Sequence, residues 1–339
     1  MPSTVLVTGG AGYVGSHIAT ELARAGHTPV VLDNFANSLV SVLPRLRRVT
    51  GQEVPLVKGD VRDRALLQRT FATYRIDAVI HCAGLKAVGE SGALPLEYYD
   101  NNVGGSIALA EAMAAAGVRM FVFSSSATVY GQPKHLPVDE DAPLNPASVY
   151  GRTKQAVEQV LRDLAAADGS WRIGLLRYFN PAGADPSGQI GEAPSNAPNN
   201  LVPILAEVAA GSRPCVEIFG DDYATPDGTG IRDYIHVSDL AAGHIAALSY
   251  LSGNQGVLTV NLGMGHGCSV LEVIAAFERA SGKTLLRHKA PRRSGDIAAC
   301  YADPTRANVL LGWRAIRDID AICTDAWRWR ATLGKEALG

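Results

Sequence analysis

Short runs of β-branched and other apolar residues alternate with longer stretches of helical periodicity through the first half of this chain. Thr4–Thr8, Pro29–Leu32, Val54–Val57, Ala78–Cys82, Met120–Ser124 and Ile173–Arg177 are short and largely apolar, the pattern of parallel strands covered on both faces. Val14–Ala25, Ala65–Tyr74, Asn102–Ala116 and Tyr150–Ala167 read as helices. In the third of these, Ile107, Leu109, Ala110 and Met113 make one apolar stripe at helical spacing. Gly26 and Gly117 stand where helices should stop, suited to the left-handed C-cap that a β-carbon disfavours. Repeated β–α alternation with short links predicts a doubly wound, parallel α/β sheet.

After Phe179 the pattern changes. Residues 180–200 are rich in Pro, Gly, Asn and Ser with little periodicity and are expected to form a long ordered loop at a domain junction. A second loop, Gly220–Gly230, precedes the strand-like Asp233–Val237, and helical patterns recur at Ser238–Tyr250, Val270–Ala280 and Asp318–Leu333. The expected division is residues 1–180 as a nucleotide-binding domain and 181–339 as mainly a smaller C-terminal α/β substrate-binding lobe, with segments near 235–265 free to return to the first domain.

Composition narrows the class. The 339 residues carry 31 Lys+Arg against 33 Asp+Glu, a net charge of −2, so no concentrated positive face for nucleic acid is expected. Cys82, Cys215, Cys268, Cys300 and Cys323 are scattered, odd in number and without metal-ligand spacing; they read as reduced thiols of a cytoplasmic protein, with no metal site. No apolar stretch reaches the ~18–20 residues of a membrane span; the richest, Leu240 to Leu251, is short and contains His244. The N-terminus enters a strand-like run with no secretory pattern, so a soluble intracellular protein is expected.

The candidate chemistry begins at the first predicted strand–helix junction. Gly9-Gly10-Ala11-Gly12-Tyr13-Val14-Gly15 follows that strand and opens the helix. Glycines at 9, 12 and 15 permit a tight turn, close approach of a pyrophosphate and close helix–strand packing, with the helix N-terminus facing the phosphates. Asp33 ends the second strand, eighteen residues after Gly15. A carboxylate there accepts from ribose hydroxyls and repels a 2′-phosphate, which favours NAD over NADP. Asp60-Val61 and Cys82-Ala83-Gly84 follow the third and fourth strands, where ligands of such sheets bind; Asp60 reads either as an adenine contact or as a helix cap.

Tyr150 and Lys154 are four apart at the start of a helix, so both emerge on one face. A neighbouring ammonium and a positive nicotinamide ring are expected to lower the phenol's pKa from about 10, making a general base for a sugar hydroxyl. The strand end Ser124-Ser125-Ser126-Ala127-Thr128 offers a hydroxyl to the reacting oxygen.

On these residues the chain resembles the extended short-chain dehydrogenase/reductases, a Rossmann-fold family, and within it the group that epimerises UDP-hexoses at C4. The resemblance runs nearly the full length through VTGGAGYVGSH, LDNFANS, HCAGLKAVGES, PLEYYDNNV, FSSSATVYG, YGRTK, LRYFNPAGA, PNNLVP, IFGDDYATPDGTGIRDYIHV and NLGMG. It implies that Ser126 assists Tyr150 as the acid/base and that Lys154 holds tyrosine and nicotinamide ribose. It implies an NAD site lined by Tyr13, Val14, Asp33, Asn34, Phe35, Ala36, Asn37, Ser38, Asp60, Val61, Cys82, Ala83, Gly84, Lys86, Asn101 and Phe179. It implies a UDP-hexose held by Asn180, Asn200, Leu201, Glu217, Ile218, Phe219, Arg232 and the stretch from Arg293 to Asp296, with Lys86, Ser126 and Tyr150 also facing the sugar. Arg232 and Arg293 supply planar, permanent charges suited to a diphosphate; a salt bridge from Arg232 to Asp233 is the simpler alternative for that residue. His236 is expected to be buried and hydrogen-bonded.

The implied reaction interconverts UDP-galactose and UDP-glucose through a 4-keto sugar, with NAD retained throughout. Some bacterial relatives carry Tyr where this chain has Cys300; the smaller side chain is expected to leave room for an N-acetyl group and thus for UDP-N-acetylglucosamine. A nucleotide-sugar 4,6-dehydratase or decarboxylase is the competing enzyme reading, but Ser126-Ala127-Thr128 lacks the Asp-Glu pair that dehydratases place there. A silent NAD-binding regulator would tend to lose the tyrosine or the lysine. The resemblance also implies a homodimer; the alanine-rich helices Asn102–Ala116 and Tyr150–Ala167 suit pairing about a two-fold axis, or packing on their own sheet.

Overall fold

The computed structural model describes residues 3–193, 198–293 and 295–336. Its centre is a seven-stranded sheet, all parallel. Strands β1 (Thr4–Thr8), β2 (Thr28–Asp33), β3 (Leu56–Lys58), β4 (Ala78–His81), β5 (Met120–Ser126) and β6 (Arg172–Tyr178) are joined by a seventh, Gly256–Leu262. The order across the sheet is Gly256–Leu262, β6, β5, β4, β1, β2, β3. The chain builds outward from β1 through β2 and β3, then returns to add β4 on the other side. That reversal opens a crevice beyond the C-terminal ends of β1 and β4, where doubly wound folds bind ligands.

Alternation along the strands assigns each apolar residue to one of two cores. Leu6, Phe121, Phe123 and Leu175 pack with Leu109, Met113, Val157 and Leu161 on one face. Val5, Val7, Val122 and Leu176 pack with Ile18, Leu22, Leu240 and Leu248 on the other. The alanine-rich face of the helix Gly105–Ala115 is thereby spent on its own sheet: Ala108, Leu109, Ala112 and Met113 are buried there. Gly26 (φ +81°) and Gly117 (φ +76°) end their helices in the left-handed region as expected.

Several elements differ from the sequence expectation. The strand Gly256–Leu262, which alternates apolar residues with Thr259 and Asn261, was not expected, yet it occupies a sheet edge beside β6. Helix α2 (Val42–Thr50) and the helix Leu201–Ala209 are short and were not expected. The helix predicted from Asn102 begins at Gly105, after a π-helical stretch Tyr99–Gly104. The 180–200 segment contains a short strand, Asn180–Ala182, paired with Tyr234–His236; its residues 194–197 lie outside the described residues.

The smaller lobe has its own core, in which Val202, Leu205, Val216, Ile218, Val273, Phe277 and Ile322 meet. Its strands Val216–Phe219 and Arg287–Ala290 pair in parallel. A three-stranded ribbon places Arg232 opposite both Cys268 and Cys300. Among the described residues no helix is long and apolar enough to cross a membrane.

Candidate active site

The glycine turn after β1 lies at the mouth of the crevice. Gly9 has φ +65°, and a β-carbon on it would come 2.8 Å from the Ala83 nitrogen; one on Gly15 would collide with the Gly9 oxygen. Helix α1 (Tyr13–Arg24) has Gly12 as its N-cap, with no side chain capping that end and no acidic residue in the first turn. A helix start normally attracts such groups. Its bare amides and positive dipole end fit a pyrophosphate.

Asp33 is buried and holds the neighbouring loops: it accepts from Ala11 N (2.9 Å), Phe35 N (2.8 Å) and Ser38 Oγ (2.8 Å). Phe35 takes φ +60° to turn away. Tyr13 Oη donates to the Gly183 carbonyl (2.8 Å), while Val14 packs with the second core. Asp60 is not a helix cap, because Asp63 takes that position by accepting from Leu66 N. Asp60 instead accepts from Arg62 Nε and Nη2 (2.9 and 2.8 Å) and from Asn34 Nδ2 (3.0 Å), and the guanidinium holds its carboxyl well below the usual range. Ala36 N bonds the Asn34 side chain, and Val61 is buried against Gly105.

Beyond β4, Ala83 N lies 3.4 Å from Thr8 Oγ1. The next turn is clamped by Asn102, which accepts from Leu85 N (2.8 Å) and donates to Leu85 O and Thr153 Oγ1, both at 3.0 Å. The neighbouring Asn101 is half-buried in the same π-helical stretch. Asn102 escaped the sequence reading; an asparagine inside an expected helix carries no local signal of a partner fifty residues away. Gly84 leaves space here, since a β-carbon on it would stand 3.1 Å from Asn102 Oδ1 and 3.8 Å from Lys154 Nζ.

The helix Val149–Ala167 starts at Ser148, whose side chain accepts from Gly151 N, and carries Tyr150 and Lys154 on its buried face. Lys154 Nζ donates to the Ser124 carbonyl at 2.8 Å and lies 4.7 Å from the Phe123 ring centroid. Ser126, whose Oγ accepts from Thr128 N (3.2 Å) and Thr128 Oγ1 (3.0 Å), favours the ionised form of the nearby Tyr150 phenol, but burial dominates and pushes the phenol up to about 12. In the chain alone, burial thus opposes the lowering expected from the ammonium and the nicotinamide ring together. Burial also lowers the Lys154 ammonium to about 8, and that ammonium, 5.9 Å from the phenol ring centroid, is committed to Ser124. Cys82 shares a hydrogen bond with Ser124 Oγ (3.1 Å), and burial raises its thiol to about 11.

Across the crevice the candidate residues are looser. Lys86 is exposed and paired with Glu192 (3.2 Å), which also accepts from Asn200 Nδ2 (3.1 Å). Glu192 lies in the aperiodic segment and was not expected to matter. Asn180 is exposed. Arg232 makes no bridge to Asp233: that carboxylate turns inward to the amides of Met264, Gly265 and Ala302. Arg293 pairs with Asp296 (2.9 Å) and stacks 4.7 Å from the Phe219 ring centroid. Within that strand Glu217 is exposed and Ile218 enters the lobe core, against which Leu201 also packs. Cys300 is buried with Phe179, Val129 and Ala302. His236 is buried as expected, accepting from Ser238 N and facing Asp325. Of the stretch from Arg293 to Asp296, Ser294 lies outside the described residues.

A parallel doubly wound sheet, a glycine turn with a bare helix end, and a Ser–Tyr–Lys set at the strand termini define a dinucleotide-dependent enzyme acting on a hydroxyl-bearing substrate. The chain belongs to the NAD dependent epimerase/dehydratase family, whose model matches residues 5–263. It is 55% identical over 326 residues to the UDP-glucose 4-epimerase of Neisseria meningitidis serogroup B, covering 96% of each. It is similar to the crystal structure of UDP-glucose 4-epimerase from Bifidobacterium longum in complex with NAD+ and UDP (TM-score 0.94, 51% identity, 97% of this chain and 98% of that one). It is also similar to that of Stenotrophomonas maltophila with bound NAD and formylated UDP-arabinopyranose (TM-score 0.96, 50% identity, 98% and 99%).

Proposed function

We propose that this chain is an isomerase that interconverts UDP-galactose and UDP-glucose by inverting C4 of the hexose. The observation that carries the reading is the convergence at one strand end of Ser126, the buried Tyr150 and a Lys154 bonded to the Ser124 carbonyl, facing the glycine turn. Bound NAD would supply an acceptor for the C4 hydrogen and a positive ring beside the phenol. Gly9, Gly12, Tyr13, Val14, Gly15, Asp33 to Ser38, Asp60, Val61, Cys82 to Lys86, Asn101 and Phe179 are the residues we assign to holding it.

In this mechanism Tyr150 takes the O4 proton and returns it, with Ser126 bonded to the reacting oxygen. The chain's own environment favours the neutral phenol, so the bound dinucleotide's positive charge would be needed to favour the ionised form. Lys154 orients: its ammonium is tied to the strand carrying the serines. The 4-keto sugar must turn about its diphosphate link to present its other face. Arg232 and Arg293 are assigned to the diphosphate, with Asn180, Asn200, Leu201, Phe219 and Cys300 around it; Glu217, Ile218 and Asp296 contribute through backbone or pairing.

Incubation of the purified protein with UDP-galactose and no added NAD is expected to yield UDP-glucose. A 4-keto-6-deoxy sugar would decide for a dehydratase, and no conversion despite bound NAD for a silent regulator.

The small, buried Cys300 supports a second substrate, UDP-N-acetylglucosamine. Cys300→Tyr should remove activity on the acetylated sugar and spare UDP-glucose; equal loss on both would refute this. A homodimer of the cytoplasm completes the proposal. It is supported by exposed Leu94, Leu96 and Tyr99 beside the helix Gly105–Ala115 and by five unpaired cysteines. The two-lobe division at about residue 180, with 235–265 returning to the first lobe, is part of the same reading.

A further inference from the structure

A buried ion pair behind the catalytic helix is not used by the reaction derived above. Glu158 follows Lys154 by one helical turn, as Lys154 follows Tyr150, so the three lie on one stripe. Glu158 is 1% exposed. A carboxylate so far from water needs dedicated donors, and it has them. Arg177 on β6 donates Nε to Oε1 (2.9 Å) and Nη2 to Oε2 (2.6 Å), a two-pronged contact. Ser125 Oγ donates to Oε1 at 2.6 Å. The remaining arm of Arg177 reaches Tyr130 Oη (3.1 Å) and the Glu140 carbonyl (3.0 Å), and Tyr130 Oη donates to Asn261 Oδ1 (2.7 Å). The pair is thus braced by three neighbouring strands.

Ser125 stands between the two serines of the site. The Ser124 carbonyl receives the Lys154 ammonium, and Ser126 stands near the Tyr150 phenol. Ser124 Oγ is anchored on the opposite sheet face by His244 (2.9 Å). One carboxylate therefore grips the serine strand from the helix that carries the tyrosine and lysine.

We propose that Glu158 is a positioning residue for the 4-epimerisation: locked by Arg177, it holds the serine strand against the catalytic helix through Ser125 and keeps the Lys154 ammonium charged and bonded to Ser124. This deepens the function proposed above and rests on it.

The electrostatics agree with the geometry. The titratable groups facing Lys154 are His81 and Cys82 at the end of β4, and Tyr150 and Glu158 on its own helix; Tyr178, at the end of β6, stands against Tyr150 and Cys82. Burial drives His81 to about 3, Cys82 to about 11 and Tyr150 to about 12, and raises Tyr178 as well. All four are uncharged near neutrality. Glu158 is then the charge that favours the ammonium, and its removal would also leave Arg177 uncompensated nearby, which acts in the same direction.

The test compares Glu158→Gln with wild type on UDP-galactose. Glutamine keeps the size and can still accept from Ser125 and Arg177. The variant is expected to lose about tenfold in kcat, with KM within about twofold. The alkaline limb of its kcat profile should move down by about half a pH unit or more. A lower kcat with an unmoved limb would make the pair merely structural and overturn the proposal. Ser125→Ala and Ser125→Thr, which leave the ion pair intact, cover the case in which Glu158→Gln does not fold. Ala is expected to lose about three- to tenfold in kcat and Thr to restore most of it, whereas full activity in Ser125→Ala would overturn the role. Turnover by wild type with indifferent variants refutes the positioning role alone; no turnover by wild type refutes the underlying function and the role with it.

Discussion

The two sides of the crevice are built on different terms. On the sheet side key polar groups are fixed by short bonds inside the protein: Asp33 by three donors, Asn102 by bonds to Leu85 and Thr153, Lys154 by the Ser124 carbonyl. On the lobe side the polar candidates are exposed or half-buried and lean on one another: Asn200 bonds Glu192, which also takes Lys86 from the turn after β4, and Arg293 leans on Asp296. Exposed ion pairs of this kind are worth about 0–1 kcal/mol, so a diphosphate can displace them. On the proposed assignment, the sheet side is preorganised for a resident cofactor and for proton transfer, and the lobe side is exchangeable, as a site that must release product requires.

Substitutions should therefore act on different kinetic constants. The largest effect is expected from Tyr150→Phe, which removes the acid/base while leaving the ring: kcat on UDP-galactose should fall by about 10³-fold with NAD still bound, measured in a coupled product assay. Next is pH. The Lys154 ammonium, lowered to about 8 by burial, is the form that bonds Ser124. Activity should hold below that value and decline as pH rises through it, approaching tenfold per unit; a kcat profile flat to pH 10 would break the assignment. Asn102→Ala strands the amide of Leu85 and should destabilise the fold by about 2 kcal/mol, lowering the melting temperature by several degrees with KM for UDP-galactose little changed. The smallest effect belongs to the lobe side: Glu192→Gln weakens the hold on Lys86 and Asn200. It should change KM by about two- to threefold with kcat intact; a kcat effect there would erase the distinction between the two sides.

Much of the sheet side was legible in the sequence because its determinants are local. A glycine turn between strand and helix, a strand-end carboxylate and a Tyr–Lys pair one turn apart are read from neighbours within twenty residues. The strands β1, β4 and β5 were legible for the same reason, since buried parallel strands are apolar runs. What escaped depends on distant partners. Asp60 and Asp63 are equivalent as caps until the backbone shows Asp63 bonded to Leu66. Glu158 reads as a helix-surface charge until Arg177 and Ser125 close on it. The burial that opposes ionisation of the phenol was not foreseen, because spacing reveals a lysine nearby but not how deeply the ring lies. Most of the lobe's site residues were reached through resemblance to a family, because a surface that works by exchanging partners leaves no periodic trace.

The path of the chain between the two cores has a mechanical consequence. After β6 it enters the small lobe, comes back with the helix Val237–Gly253 and the strand Gly256–Leu262, and leaves again to form Val270–Ser281 and Ala299–Cys300. It returns with Ala307 and Trp313 before ending in the helix Ile319–Glu336. Relative motion of lobes stitched together by several crossings has to be shared among all of them, and neither lobe is one continuous stretch of chain. Any opening wide enough to shed a reactive sugar would have to bend every crossing at once, so the backbone route itself acts as a restraint on leakage.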